Sequence, residues 1–219
     1  AEAGAPIAWA EIETVFVDMD GTLLDLAFDN FFWLELVPAR YASARGLDAA
    51  TARATVARKY ADVHGTLPWY CLDHWSRELG LDVAGLKTEH RHLIRYLPMV
   101  PEFLAEHARE RAASSSSLTR TGTLEIKIGE TRLDSRVDAV VCAHDLDAPK
   151  ESAEFWAKLA SREPFDPEHT LLLDDSVAVL TAARSFGLKH IVAIRRPDSR
   201  RPARAIDYFR SVDGVADLV

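Results

Sequence analysis

The sequence predicts an α/β fold, a parallel sheet interrupted by a block of helices directly after its first strand. Three observations carry this. Short apolar runs recur at "TVFV" (14–17), "DAVVCA" (138–143), "TLLL" (170–173) and "HIVAI" (190–194). They are continuous rather than alternating, as expected when helices cover both faces of a sheet. Segments with helical spacing lie between the later runs, the pattern of successive β-α units. Residues from about 28 to 98, by contrast, hold helical patterns and no convincing strand.

Taken in order, "TVFV" is the first strand. The helical block follows as "NFFWLELVPARYASARG", "ATARATVARKYADVHG" and "LPWYCLDHWSRELG", punctuated by Gly46, Gly65 and Gly80. It holds three of the chain's five tryptophans, Trp33, Trp69 and Trp75. Inserted at that point, it reads as a lid over the carboxyl edge of the sheet, so the expected division is a core of residues 1–27 and 99–219 and a helical cap of residues 28–98. The helix "PEFLAEHARERAA" leads back to the core. Between the last strands lie the helices "ESAEFWAKLASRE" and "SVAVLTAARSFGL", the second with a stripe at Val177, Leu180 and Ala183 and a C-cap at Gly187.

One stretch breaks the pattern. "SSSSLTRT" (114–121) falls where a buried strand is expected, and four serines have neither the apolar area nor the β-branched shape of a central strand. Read from its residues alone, it is a flexible linker.

Composition narrows the function classes. With 219 residues, 48% hydrophobic and 27% charged, the chain suits one domain with an insertion or two small domains. A formal net charge of -8 gives no general attraction for nucleic acid or an anionic membrane, though it leaves room for a local basic pocket. No apolar run approaches the roughly 20 residues that cross a bilayer, and the N-terminal "AEAGAPIAWAEIE" lacks the plan of a signal peptide. Cys71 and Cys142 show no metal-binding spacing. A reduced, cytoplasmic setting is the expectation.

The chemistry is concentrated at strand ends, where an open α/β sheet forms its ligand crevice. Asp18 and Asp20 follow the first strand in "VFVDMDGTLLD", and Asp174 and Asp175 follow "TLLL". Four carboxylates converging on one spot would repel one another and resist ionisation. A hard divalent cation removes that penalty, and Mg²⁺ favours carboxylate and water oxygens with a phosphate completing its shell. The plainer reading, that Asp-Gly and Asp-Asp are turn residues, explains either pair alone better than both together.

These residues carry a resemblance. "DMDGTLLD" and "TLLLDDS", with a lysine between them in "APKES", resemble the motifs of the haloacid dehalogenase-like (HAD) phosphohydrolases. The resemblance implies a Rossmann-like core, Mg²⁺ and an aspartyl-phosphate intermediate. By position, Asp18 would be the nucleophile and a metal ligand. Asp20 would be the general acid/base, with its backbone carbonyl also on the metal. Lys150 would screen Asp18 and the phosphoryl oxygens, Asp174 would bind Mg²⁺, and Asp175 would be a second ligand or an orienting partner. The family's phosphate-binding motif is an apolar strand ending in Thr or Ser. Counting back from "GTLEIK" puts Ser117 at the hydroxyl position, with Thr119 the alternative. The serine run departs from that motif, and a strand beside "TVFV" is what would preserve the phosphate clamp.

A closer resemblance runs through "IAWAEIETVFVDMDGTLLDLAFDNFFWLELVP" and "HGTLPWYCLDHWSRELGLD", which are similar to bacterial GMP/IMP-type 5′-nucleotidases. It implies a purine nucleoside 5′-monophosphate as substrate. Asp29, Asn30, Trp69, Tyr70, His74 and Trp75 offer faces and edges suited to a base and ribose; the alternative is that the aromatics build the cap's own core. His144, after "VVCA", either lines the pocket or sits in a turn. Two other functions stay open. One is phosphatase activity on another small phosphometabolite such as a sugar phosphate; the other is a catalytically weak nucleotide- or phosphate-binding protein.

Overall fold

The computed structural model describes residues 7–64, 66–110, 115–119 and 123–219, and the side chains of residues 67, 70, 108–110 and 115–119 lie outside that description. The chain enters through a 3-10 turn at Trp9–Glu11 into β1 (Thr14–Asp18). Helices follow: α1 (Ala27–Phe31), a π turn at Phe32–Leu36, α2 (Val37–Arg45), α3 (Ala49–Val63), α4 (Leu72–Leu79) and α5 (Val83–Glu89). Then come α6 (Val100–Glu110), β2 (Ser115–Thr119), α7 (Thr123–Thr131), β3 (Ala139–Cys142), α8 (Ala153–Arg162) and β4 (Thr170–Asp174). The chain closes with α9 (Val177–Phe186), β5 (His190–Ile194) and β6 (Arg210–Val212).

Among the described residues, the strands form one parallel sheet in the order β3-β2-β1-β4-β5-β6. This is the doubly wound order, in which the direction of winding reverses between β1 and β4 and a crevice opens at their carboxyl ends. Val17 pairs in register with Leu173, so Asp18 and Asp174, far apart in sequence, finish neighbouring strands at the same level. The four runs read as strands are strands. The serine-rich segment is one too: β2 pairs with β1 on one side, Val17 opposite Ser117, and with β3 on the other. A segment with a ladder on each side has partners for its backbone groups whatever its side chains contribute, and local composition cannot reveal that.

The alternation of strand residues builds two cores. Val15 and Val17 of β1 and Leu171 and Leu173 of β4 face one side of the sheet, while Phe16 and Leu172 face the other. The second side is covered by α8 and α9 through Phe155, Trp156, Leu159, Val179, Leu180 and Ala183. Val177, expected in the buried stripe of α9, is instead an exposed residue just after the Ser176 N-cap, which accepts the Val179 N–H. The first side continues without a break into the helical segment: Phe32, Tyr41, Val56, Trp75, Leu79 and Val83 belong to the same apolar cluster as Val15, Val17 and Phe103. Among the described residues, no helix is long and apolar enough to cross a membrane.

Two local features set the walls of the crevice. The helix from α1 to α2 widens at Phe32–Leu36, where the Val37 N–H reaches back five residues to the Phe32 carbonyl. The next such bond, to the Trp33 carbonyl, would come from residue 38, which is proline and has no N–H. The Tyr60 hydroxyl on α3 donates to that carbonyl instead, at 3.2 Å, and so brings the two rings together. Where the helical segment leaves and rejoins the sheet, Asp25 accepts bonds from the Ala27 N–H (3.0 Å), the Ser199 N–H (3.0 Å) and hydroxyl (2.6 Å), and Arg95 (3.2 Å). Its carboxyl is buried, which alone would raise its pKa, but the Ser199, Ala27 and Arg95 donors hold it below the usual carboxylate range.

Candidate active site

Asp18 closes β1 and Asp174 closes β4, both buried. Lys150 lies between them: its ammonium bonds Asp18 Oδ1 and stands 3.2 Å from Asp174 Oδ2. The lysine is fixed from behind, because the indole N–H of fully buried Trp156 donates to the Lys150 carbonyl at 3.0 Å and Ser152 caps α8 just beyond it. The second oxygen of Asp174 accepts the Ser176 N–H at 2.7 Å. Asp175 is held by Arg204, which donates to its backbone carbonyl at 2.6 Å and its carboxylate at 3.2 Å. Gly21 packs against this turn with φ +91°. A Cβ there would lie 2.8 Å from Pro197 Cβ and 3.0 Å from Asp175 Cγ, so only glycine lets the loop after β1 come this close.

The charges are placed where they resist ionisation. Burial pushes Asp18 up to about 7, against the pull of Lys150 and with the added repulsion of Asp174 and Asp20. Burial likewise lifts Asp174 to about 6 against Lys150, with Asp175 adding repulsion. Asp175 rises to about 6 through burial and the charge of Asp18, with Arg204 opposing. For Lys150, burial alone would lower the pKa, but Asp174 and Asp18 raise it above the ordinary lysine value. The protein has assembled a site short of positive charge.

That site opens into a cavity of about 560 Å³. Its floor is Asp18, Asp20, Lys150, Asp174 and Asp175, and its far wall is Trp33, Tyr60, His64, Trp69 and Trp75 from the helical segment. The rings of the wall pack edge to face, Tyr60 against Trp75 at 4.9 Å and against Trp69 at 5.8 Å.

No family model matches the chain. The GMP/IMP nucleotidase YrfG of Escherichia coli (strain K12), however, is 39% identical to it over 197 residues, covering 88% of this chain and 87% of that protein. The chain belongs to the haloacid dehalogenase-like (HAD) phosphohydrolases. Solved structures share the fold at low identity. A HAD phosphatase from Thermococcus onnurineus superposes with a TM-score of 0.77 at 18% identity, covering 94% of this chain and 96% of that one. L-2-haloacid dehalogenase from Xanthobacter autotrophicus superposes with a TM-score of 0.61 at 16% identity over the same shares. As a HAD phosphatase, the chain is a hydrolase of phosphoric monoesters.

Of the residues expected at this HAD site, the fold brings some together and leaves others apart. Asp18, Asp20, Lys150, Asp174 and Asp175 meet on the cavity floor, and Asp29, Asn30, Trp69 and Trp75 line it. Asn30 is held by the hydrogen bond its side-chain amide donates to Asp198 Oδ2 at 2.7 Å. His74, whose ring packs on Trp75 at 4.9 Å, and His144, in the 3-10 turn Ala143–Leu146, are not among the lining residues. The side chains of Tyr70, Ser117 and Thr119 lie outside the described residues. By backbone register, Ser117 stands opposite Val17 and Leu118 opposite Asp18, which leaves Thr119 as the last residue of β2.

Carboxylate oxygens of Asp18, Asp174 and Asp175 lie within 4.8 Å of one another. An all-oxygen donor set of this kind fits a hard cation such as Mg²⁺. The Asp20 carboxylate is not in that group. It accepts from Lys127 Nζ at 2.6 Å. Sequence reasoning missed Trp33, Tyr60 and His64 as cavity walls, and missed Lys127 altogether. Lys127 sits in a segment with no motif, and only its burial, at 1% exposure, marks it out.

Proposed function

We propose that this HAD phosphatase hydrolyses purine nucleoside 5′-monophosphates such as GMP and IMP, with Mg²⁺, through an aspartyl-phosphate on Asp18. The observation that carries the reading is the polarity of the cavity: carboxylates and a lysine at one end, and a wall of aromatic rings at the other. A phosphate at the first end leaves a base free to stack at the second, and base–aromatic stacking tolerates either purine. The 39% identity to a protein named GMP/IMP nucleotidase supports the same choice. Residues 28–98 act in this reading as the cap that closes the crevice, and residues 1–27 and 99–219 as the catalytic core.

A carboxylate oxygen of Asp18 attacks phosphorus, the P–O bond to the ribose 5′ oxygen breaks, and Asp20 gives that oxygen a proton. Asp20 then takes a proton from the water that attacks phospho-Asp18, which frees phosphate and restores both aspartates. Lys150 offsets the charge of Asp18 and the phosphoryl oxygens throughout. Asp18, Asp174 and Asp175, with the Asp20 carbonyl, would hold a Mg²⁺ whose charge draws density from the phosphoryl oxygens. Thr119, the last residue of β2 and one past the Leu118 that pairs with Asp18, takes the role of phosphate-binding hydroxyl in preference to Ser117, two residues earlier. Asn30 and Trp69 are the positions for ribose and base, while both oxygens of Asp29 are taken by Lys127 and Lys87.

Release of inorganic phosphate from a panel of nucleotides and sugar phosphates, with Mg²⁺ or with EDTA, tests this. Turnover of GMP and IMP above the rest, lost with EDTA, is expected. Preference for a sugar phosphate would replace the substrate, and binding without turnover would replace the activity.

A further inference from the structure

Lys127 touches the proposed acid/base residue from outside the cavity. Its ammonium sits on α7 with 1% of the side chain exposed, and bonds Asp20 Oδ1 and Asp29 Oδ2, each at 2.6 Å. The other oxygen of Asp29 accepts from Lys87 on α5 at 2.8 Å. Lys87, also 1% exposed, is enclosed by the rings of Phe28, Phe32 and Trp33 at 5.5, 5.0 and 5.3 Å. Four charges therefore alternate in a row, Lys87, Asp29, Lys127 and Asp20, and the row ties helices α5, α1 and α7 to the loop that follows β1.

A buried lysine is a poor way to hold helices together. Its desolvation offsets much of the attraction it gains, and an apolar side chain of similar volume packs as well or better. What an ammonium does that a methyl group cannot is fix the place of a carboxylate oxygen. Asp29 is one of its two partners, anchored in turn by Lys87. The other partner is Asp20, which has a reacting atom to serve. Lys127 is not among the cavity's lining residues, so substrate meets Asp20 and not the lysine behind it.

We propose that Lys127 is a positioning residue for Asp20: it holds the carboxylate at the angle from which a proton reaches the oxygen being expelled, with Asp29 and Lys87 bracing it. This rests on the reading of Asp20 as the general acid. The consequence is selective. Placement of Asp20 matters where the leaving oxygen needs a proton, as the ribose 5′ oxygen does, and little where it leaves readily as an anion, as 4-nitrophenolate does.

The experiment compares kcat/KM for GMP and for 4-nitrophenyl phosphate, since kcat/KM reports the steps up to loss of the leaving group and not the later hydrolysis common to both. In Lys127→Met, which leaves the Lys87–Asp29 pair intact, kcat/KM for GMP is expected to fall about 10²-fold, the range of a general-acid contribution, while that for the aryl ester changes far less. The ratio does not depend on the folded fraction of a preparation. Should Lys127→Met not fold, Lys127→Arg keeps the charge but shifts the donors, and the same selective loss is expected at smaller size. Equal losses on the two esters, or a lower Tm with the ratio unchanged, would overturn the positioning role. Asp20→Asn measured alongside separates the two readings. If it fails to discriminate between the esters, the acid assignment has failed; if it discriminates and the Lys127 variants do not, the positioning role has.

Discussion

The Tyr60 hydroxyl stands in for the backbone N–H that Pro38 lacks, by donating to the Trp33 carbonyl that a π turn would otherwise leave without a partner. Tyr60→Phe is expected to cost about 1 kcal/mol, the usual net worth of a hydrogen bond, here to a part-buried acceptor. In a Pro38→Ala background, where residue 38 can donate, the same change costs less. A double-mutant cycle by urea denaturation reads the difference. Additive losses would mean that the proline and the hydroxyl are unrelated.

Asp18→Asn removes the proposed nucleophile, and phosphate release from any ester is expected to fall by at least about 10³-fold. Stability moves the other way. Asp18 carries a charge that burial disfavours, so at pH 8 without divalent cation the Asn variant melts at the wild-type temperature or above it. Lys150→Met is the converse: it leaves Asp18 and Asp174 facing each other unpaired, and the loss expected is about 3–5 kcal/mol. Thermal melts alongside turnover check both.

Titration of the carboxylate cluster gives a pH dependence of defined sign. Asp18 at about 7, and Asp174 and Asp175 at about 6, all lie above the ordinary 3.8. Between these limits the folded protein holds more protons than the unfolded chain, so their contribution to stability is complete below about pH 4 and is lost as pH rises through 6 to 7. Asp25 and Asp29 have lowered values, so their contributions fade only under more acid conditions. The rise in Tm on adding Mg²⁺ is therefore expected to be larger at pH 8 than at pH 5, because the ion competes with protons for the same oxygens. A shift of equal size at both pH values would place the ion elsewhere.

Trp69→Ala tests the aromatic wall. Loss of one stacking face is expected to raise KM for GMP by roughly 5- to 150-fold, corresponding to about 1–3 kcal/mol per stacked base, and to leave KM for 4-nitrophenyl phosphate nearly unchanged. Its contacts with Tyr60, Trp75 and His64 mean that Tm falls as well. A fall in Tm with KM for GMP unmoved would make the ring part of the cap's interior alone.

Much of the fold was legible because burial writes itself into residue type. "TVFV" and "TLLL" can be little other than central strands, and the aspartates ending them could be placed side by side once a parallel sheet was assumed. β2 was not legible from its own residues, since what makes "SSSLT" a strand is the ladder offered by β1 and β3, which no local pattern encodes. The cavity wall was half legible. Trp69 and Trp75 announced themselves, but Tyr60 owes its place to a proline more than twenty residues earlier in the chain. Lys127 and Lys87 carried no signal, because a sequence gives no sign that a lysine is buried until its carboxylate partners are located.

The apolar cluster that runs unbroken from Val15 and Val17 into Phe32, Val56 and Trp75 links the ring-lined cavity wall to the survival of the whole chain. A lineage that remodels the ring-lined wall is at the same time editing the interior that keeps Asp18 and Asp174 in register. Variants that broaden specificity should therefore appear first among chains already carrying stabilising changes elsewhere, such as at surface positions on α8 and α9, across the sheet from that interior.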